Sequence, residues 1–550
     1  MKTKSHKVQP KTLEFSRVIQ FILDYFKQNY QLGLVLFAGV LMGLAAEPTG
    51  FWLLAWVALV PLWLVVLQSK THKISTLPFA IAWGIGYHGT VLFWITGVHP
   101  MTWLGVPWLA SLAIALFCWI FITFWGVGLV IVWAKILSIV SRQIPSQNLN
   151  HLLTRVLVGT ALWCSLEWFW SQGSLWWSSL SLTQSFGNLV ILHLGQISGP
   201  NTVTAALVAV NGLITEAWLI NRLKNKIEIR TKIIIYLLPI LCFSLAHLIG
   251  FYLYSQPLKS NPETALKIGI IQGNIPNKIK LYSEGWRQAL QGYTTGYITL
   301  ADQGVDAVLT PETALPFLWK TPARDQSSFY QAILEKKVVA WVGSYGQEGN
   351  RISNSLFTVD SEGNIISQYN KVNLVPLGEY IPFESILGRF INRLSPLDSH
   401  LVKGDPNQQF NTPFGQAIVG ICYDSTFTRH FRRQAKTGGE FILTASNDSH
   451  YSAGMLAQHH AQDVMRAIET DRWAIRATNT GYSGVVDPHG KTLWKSQMDT
   501  YELHIGIIQP QQTQTLYVRW GDWFTLVLLI LSIIAIAVNL VFQTIFRVSD

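Results

Sequence analysis

The amino-acid sequence predicts a multi-span α-helical membrane bundle joined to an α/β domain. Three observations lead there. Hydrophobic residues fill 49% of the 550 positions and charged residues only 13%, against about 25% charged in an ordinary soluble protein. The apolar residues gather in runs near the roughly 20 residues needed to cross a bilayer. From about residue 262 onward, short β-branched runs instead alternate with helical patterns and turns, as in a sheet layered with helices.

Eight transmembrane helices are read, near 31–46, 51–68, 78–98, 105–133, 154–171, 198–220, 233–254 and 523–546. The fifth runs into a Trp- and Ser-rich stretch at 168–183, and 23 tryptophans in all suit a chain with membrane–water interfaces. The first is not a signal peptide, because about 30 residues precede it and no small-residue cleavage site follows. The expected domains are an arm and seven helices over 1–254, an extracytoplasmic domain over 255–515, and a final helix with a short tail over 516–550.

Orientation follows from the positive charges. Lys2, Lys4, Lys7, Lys11, Arg17 and Lys27 precede the first span, and Lys70 and Lys73 follow the second. Lys135, Arg142 and Arg155 flank the loop after the fourth, and Arg222, Lys224, Lys226, Arg230 and Lys232 crowd the loop after the sixth. The connections Glu47–Gly50 and His99–Thr102 carry no Lys or Arg. Both termini are therefore expected in the cytoplasm and the segment from about 255 to 522 on the far side. The net charge of +10 is explained by topology, and no basic nucleic-acid-binding motif accompanies it.

Polar residues inside spans are functional candidates or helix–helix glue. His88, Glu167 and Asn211 qualify, with His193 just before the sixth span. Of four cysteines, Cys118, Cys164 and Cys242 lie in apolar stretches, where a thiol is usually a small hydrophobe. Cys422 alone lies in the polar region and has no disulfide partner there.

Within that region, strands are read at Lys267–Gln272, Ala307–Thr310, 338–345, Gln416–Ile421, Glu440–Ala445 and 473–478. Hairpins are read at Ser355–Val359 with Ile365–Tyr369 and at 482–495, and helices at 284–302, 325–337, 426–437 and 456–470. Glu312, Lys371 and Cys422 fall at strand ends, where open α/β sheets gather their active sites. They complement one another as base, oxyanion stabiliser and nucleophile. Two routes to a thiolate are open: stabilisation at a helix N-terminus, or proton transfer to a neighbouring carboxylate. Singly, each residue is weak evidence, since a lone Cys is usually core and a lone Lys or Glu surface.

The flanking residues make the set specific. Pro311-Glu312, Tyr369-Asn370-Lys371 followed by Leu374-Val375-Pro376-Leu377-Gly378-Glu379-Tyr380-Ile381-Pro382, and Gly420-Ile421-Cys422-Tyr423-Asp424 resemble the nitrilase superfamily. Within it, the segment through Glu379 and the membrane bundle resemble the apolipoprotein N-acyltransferase family. Gln272-Gly273-Asn274-Ile275-Pro276, Asn447-Asp448, Arg466-Ala467-Ile468-Glu469 and Glu167-Trp168 add to the likeness.

The resemblance implies a nitrilase-like α-β-β-α sandwich and a bacterial inner-membrane enzyme with its catalytic domain on the periplasmic side. It implies acyl transfer from a phospholipid, through a Cys422 thioester, to the α-amine of a diacylglyceryl-cysteine on an apolipoprotein. Glu312, Lys371 and Cys422 would be catalytic, Glu379 and Asp424 auxiliary carboxylates, and Tyr423 a lining residue. No metal or diffusible cofactor is implied. The chain departs from the family pattern at Asp424 (usually Glu), at Leu281 (an aromatic) and at His450-Tyr451 (Trp-Phe).

The apolar segment 376–391 is expected to act as a lid or to dip into the interface. Two other readings compete. A membrane-anchored amidase or hydrolase would resolve the thioester with water, but eight spans exceed an anchor's needs. A transporter or scaffold would be expected to carry internal repeats, and none is found.

Overall fold

The computed structural model describes residues 29–72, 75–144, 148–221, 228–258, 262–380, 401–449 and 451–548. The basic N-terminal arm, Lys73, the charges at 222–226, residues 381–391 of the apolar segment, and His450 lie outside them.

All eight apolar segments contain helix: α1 (Asn29–Leu44), α2 (Val60–His72), α3 (Leu77–Val91), α4 (Trp108–Gln143), α5 (Leu149–Trp170), α6 (Pro200–Ile220), α7 (Ile229–Tyr254) and, near the C-terminus, a long helix at Trp523–Val548. Among the described residues, six helical runs are long and apolar enough to cross a membrane; α1 and α3 are shorter. The segment at 78–98 is interrupted because α3 gives way to a 3-10 turn at Phe93–Val98.

α6 is the central helix, most of its residues buried, whereas α7 presents Ile233, Leu237, Leu241 and Leu248 outward. An exposed apolar stripe on a long helix is stable facing lipid, not water.

Glu167, Asn211 and His88 join separate segments of the bundle, whereas His193 bonds back within its own turn. Glu167 accepts from Trp163 Nε1, Leu180 N, Ser179 Oγ and Thr204 Oγ1 at 2.9–3.1 Å. Asn211 bonds Leu59 N, Ala55 O and Leu207 O. His88 Nδ1 meets Ser178 Oγ at 2.8 Å and His193 Nδ1 meets Leu189 O at 2.7 Å. Arg155, read as a loop charge, is instead buried and paired with Glu216, Nε–Oε1 2.8 Å and Nη2–Oε2 2.5 Å. A second-turn arginine can enter the bundle because a carboxylate on α6 neutralises it.

The C-terminal domain holds two sheets. Its strands are β1 (Leu266–Gln272), β2 (Ala307–Leu309), β3 (Leu315–Leu318), β4 (Val339–Glu348), β5 (Arg351–Val359), β6 (Ile365–Asn370), β7 (Phe410–Thr412), β8 (Gly415–Ile421), β9 (Phe441–Ser446), β10 (Ala474–Thr478), β11 (Gly484–Val486), β12 (Thr492–Lys495) and β13 (Glu502–Ile508). One sheet runs β13-β1-β2-β4-β5-β6 with β3 beside β4, the other β12-β11-β10-β9-β8-β7. β1, β2 and β4 are parallel, as are β8, β9 and β10. Two antiparallel steps return β6 to the direction of β4.

Side-chain alternation fixes the layers. Ala417, Val419 and Ile421 of β8 join Ile268, Leu309 and Trp341 in a core between the sheets. Ile418, one step out of phase, faces Phe431, Ala461 and Val464 on the other side. Those residues belong to α10 (Thr428–Lys436) and α11 (Ala453–Thr470), while α8 (Ser283–Asp302) and α9 (Ser328–Lys336) cover the first sheet. The α-β-β-α sandwich expected from the resemblance is present. At Gly420, a Cβ would stand 2.6 Å from Phe431 Cζ, so only glycine lets α10 pack this close.

α11 is buried on both faces because it lies between sheet and bundle. Gln458 accepts from Trp177 Nε1 at 2.7 Å and donates to Glu47 O at 2.8 Å and Val91 O at 3.0 Å.

Candidate active site

Strand direction assembles the site. Glu312 follows β2, Lys371 follows β6, Cys422 follows β8 and Asn447 follows β9, all at C-terminal ends facing one another. The Glu312 turn passes over β4 at Gly343, where a Cβ would sit 1.9 Å from Pro311 O. No residue with a side chain fits there, and that close approach carries the carboxylate inward.

Glu312 Oε1 accepts from Lys371 Nζ at 3.0 Å and Asn354 Nδ2 at 2.6 Å, and Oε2 from the Asn447 backbone N–H at 2.8 Å. Lys371 Nζ also donates to Glu379 Oε1 at 2.8 Å, and Glu379 Oε2 accepts from Val375 N at 2.8 Å. Burial alone would pull the Lys371 ammonium down, but the Glu312 and Glu379 carboxylates reverse this and hold it well above its usual range. Glu379 is pushed up by burial, with Lys371 opposing.

A second ammonium, Lys280 Nζ, donates to Glu312 O at 3.1 Å. Burial lowers it to about 8, with Glu312 pulling the other way. Two carboxylates and two ammonium groups thus share one pocket, a balance that a dry site requires.

Cys422 takes a left-handed φ of 50° at the end of β8, a conformation costing roughly 1–2 kcal/mol for a residue with a Cβ. The turn is held from behind: His459 Nε2 donates to Cys422 O at 2.9 Å and His459 Nδ1 lies 3.2 Å from Asp448 Oδ1. The Sγ reaches Asp448 Oδ1 at 3.8 Å. Burial pushes the Asp448 carboxyl up, but His459 and Arg476 outweigh it and hold it below the usual range.

Cys422, Asp448 and His459 bring ligand-type atoms within 4.8 Å of one another. Yet both His459 nitrogens already have protein partners, and Arg476 Nη1 stands 3.8 Å from Asp448 Oδ2. A cation is therefore already supplied there, and the trio serves as a hydrogen-bonded anchor for the Cys422 turn.

The helix-dipole route to a thiolate is corrected by the backbone. Cys422 opens only a five-residue 3-10 turn, Cys422–Thr426, and α10 begins at Thr428. Burial pushes the thiol well above its ordinary range, the Glu312 carboxylate adds to the shift, and Lys371 opposes it. Burial thus favours the protonated sulfur, and among the described residues no α-helix terminus stands there to oppose it.

A cavity of about 520 Å³ joins these groups. Glu312, Lys371, Cys422, Glu379, Lys280 and Asn354 line its polar end. Val98, Met101, Trp103, Leu104, Ile114 and Cys118 of the bundle line the other, and Leu281, Leu377 and Tyr451 complete the wall.

Tyr423 and Asp424 lie outside this lining. Tyr423 turns toward the bundle, donating to Ser174 O at 2.6 Å and stacking on Trp177. Asp424 accepts from Asn373 N and Nδ2, Tyr369 Oη and Ile421 N at 2.7–3.1 Å. It thereby clamps the segment after Lys371 to the one before Cys422. Asn354, Lys280 and His459 were not singled out from the sequence. The polar triplet Ser353-Asn354-Ser355 inside a buried strand was a usable signal for the first; Lys278-Ile279-Lys280 offered none.

Fold and site together define a membrane protein carrying a carbon-nitrogen hydrolase domain. The family model described as carbon-nitrogen hydrolase matches residues 267–517, and that of the apolipoprotein N-acyltransferase N-terminal domain matches 38–213. A Nostoc sp. protein named apolipoprotein N-acyltransferase is 56% identical over 505 residues, covering 91% of this chain and 97% of the relative. Proteins of the same name from Synechocystis sp. and Thermosynechococcus vestitus are 48% and 41% identical, covering 91% and 88% of this chain and 99% and 91% of theirs. The chain belongs to the apolipoprotein N-acyltransferase family.

Proposed function

We propose that this protein transfers a fatty acyl group from a membrane phospholipid to the α-amine of the N-terminal diacylglyceryl-cysteine of an apolipoprotein, through a thioester on Cys422. The observation that carries the reading is a single cavity with the Cys422 thiol, two carboxylates and two ammonium groups at one end and apolar bundle side chains at the other.

In the first half-reaction Glu312 takes the Cys422 proton as the sulfur attacks the ester carbonyl. Lys371 stabilises the oxyanion. Collapse expels the lysophospholipid alkoxide, which takes the proton from Glu312, and the acyl group stays on sulfur. In the second, the lipoprotein amine attacks the thioester, Glu312 accepts its proton and returns it to the departing Cys422 sulfur. Glu379 shares Lys371 with Glu312 and so keeps that ammonium charged. Asp424 and Tyr423 act as positioning residues through the contacts described above.

The apolar wall suits acyl chains and excludes water, which favours the amine over hydrolysis. The proposed setting is a bacterial inner membrane with this cavity on the periplasmic side and both termini in the cytoplasm. Purified protein incubated with phospholipid and a diacylglyceryl peptide is expected to yield N-acyl peptide and lysophospholipid in equal amounts. Free fatty acid without N-acyl peptide would make the protein a hydrolase and refute the proposal.

A further inference from the structure

A second cavity, of about 180 Å³, lies where α5 and the C-terminal helix meet α10 and α11, and shares no lining residue with the first. Trp168 at the end of α5 and Trp520 beside the last helix are exposed near it, the position of an interfacial aromatic belt. Three guanidinium groups line it, from Arg429, Arg432 and Arg466.

Their partners leave positive charge over. Arg429 donates to Gln172 Oε1 and O. Arg432 donates to Tyr517 O at 2.7 Å and Arg519 O at 3.4 Å. All four acceptors are neutral, and among the described residues neither guanidinium meets a carboxylate. The cavity's own carboxylates are engaged elsewhere: Glu167 by its four donors, and Asp522 by Asn201 Nδ2, Ser198 Oγ and Thr525 Oγ1. Arg466, 3% exposed, is bonded to Ser425 O and Glu469, but its Nε has no acceptor among the described residues. A buried guanidinium N–H left without an acceptor is unfavourable, and a bound acceptor removes that cost.

We propose that this cavity binds a phosphate group, carried on a membrane phospholipid headgroup or free, at a site separate from the reaction cavity. Planar guanidinium groups suit phosphate oxygens in paired hydrogen bonds. Phe427, Met465 and Leu182 supply apolar surface beside them, which suits the first methylenes of acyl chains entering from the bilayer edge.

The test uses the full chain carrying Cys422→Ala, which prevents turnover, purified in detergent and stripped of lipid. Dioleoylphosphatidylglycerol and dioleoylglycerol are titrated by native mass spectrometry, and sodium phosphate by thermal melting. One phospholipid is expected to bind about tenfold or more tighter than to the Arg429→Gln/Arg432→Gln form, with Arg429→Lys/Arg432→Lys between them and dioleoylglycerol indifferent. Stabilisation by sodium phosphate that needs the arginines assigns the site to the free anion; arginine dependence with the phospholipid alone assigns it to the headgroup. Should the double Gln form unfold, Arg429→Gln alone is read, its guanidinium being tied among the described residues to Gln172, and a partial loss is expected. The proposal is overturned if neither probe distinguishes parent from variant, or if dioleoylglycerol loses affinity equally.

Discussion

Charge at Glu312 acts on Cys422 in two opposed ways. The carboxylate raises the thiol's proton affinity, and it is also the group proposed above to receive that proton. Glu312→Gln separates the effects. Iodoacetamide labelling of Cys422 against pH is expected to show its ionisation moving to lower pH in the variant, because the like charge is gone, while acylation by phospholipid falls by roughly a hundredfold or more for want of a base. An unchanged labelling profile would mean that the carboxylate does not face the sulfur. Lys371→Arg is expected to be nearly as damaging as loss of the base, because a planar fork cannot replace a point charge bonded to both Glu312 and Glu379.

Lys280 gives a stability prediction of definite sign. Its ordinary value is 10.5 and its folded value about 8. Below 8 both folded and unfolded chains carry the proton, and the folded state bears the full cost of the buried charge. Between 8 and 10.5 only the unfolded chain keeps it, so raising pH relieves a cost of about 3 kcal/mol. The melting temperature of Lys280→Met relative to the parent should therefore be highest at pH 7 and decline toward pH 10. A gap that is constant with pH would show that Lys280 is not buried as described.

At the scale of elements, α11 joins sheet to bundle, and Gln458 is its main polar rivet. Gln458→Leu leaves the Trp177 indole and the Glu47 and Val91 carbonyls without their partner, at about 1–3 kcal/mol for each group left unpaired. A lower apparent melting temperature is expected in detergent; an unchanged one would mean that the interface is held by apolar packing alone.

How far elements were legible depended on their surroundings. Strands β1, β2, β8, β9 and β10 were readable because β-branched runs between turns signal a buried sheet. β13 was missed: Glu502–Ile508 pairs along its whole length with β1, yet its sequence, with glutamate, histidine and glycine among the apolar residues, shows no continuous apolar run. Its place is set by pairing. α10 was read two residues early because Cys422–Thr426 forms a separate turn, a backbone feature that side-chain periodicity does not encode. Glu312, Lys371 and Cys422 were legible as strand ends with specific flanks. Lys280 and His459 were not, because each contributes through a contact between segments far apart in sequence, whereas Asn354 left a trace in its polar triplet inside a buried strand.

For the whole molecule, hydropathy located the bundle, while tertiary contacts decided which polar groups enter it. Arg155 shows the limit of charge counting: one loop cation is buried against Glu216. The remaining basic loops still define the proposed topology. A cysteine placed at Lys4 should resist a membrane-impermeant maleimide in intact cells, and one at Glu362, in the exposed turn between β5 and β6, should react. The reverse pattern would invert the orientation and move the reaction cavity to the wrong side for its proposed substrates.

Covalent capture of the acyl group on one sulfur is the claim on which the catalytic account stands. Intact-mass measurement of the purified protein after exposure to phospholipid tests it most directly. The parent chain is expected to gain one fatty-acyl mass, removed by neutral hydroxylamine, and Cys422→Ala to gain none. An adduct that persists on the Cys422→Ala chain, or N-acyl peptide formed without any acylated intermediate, would contradict it.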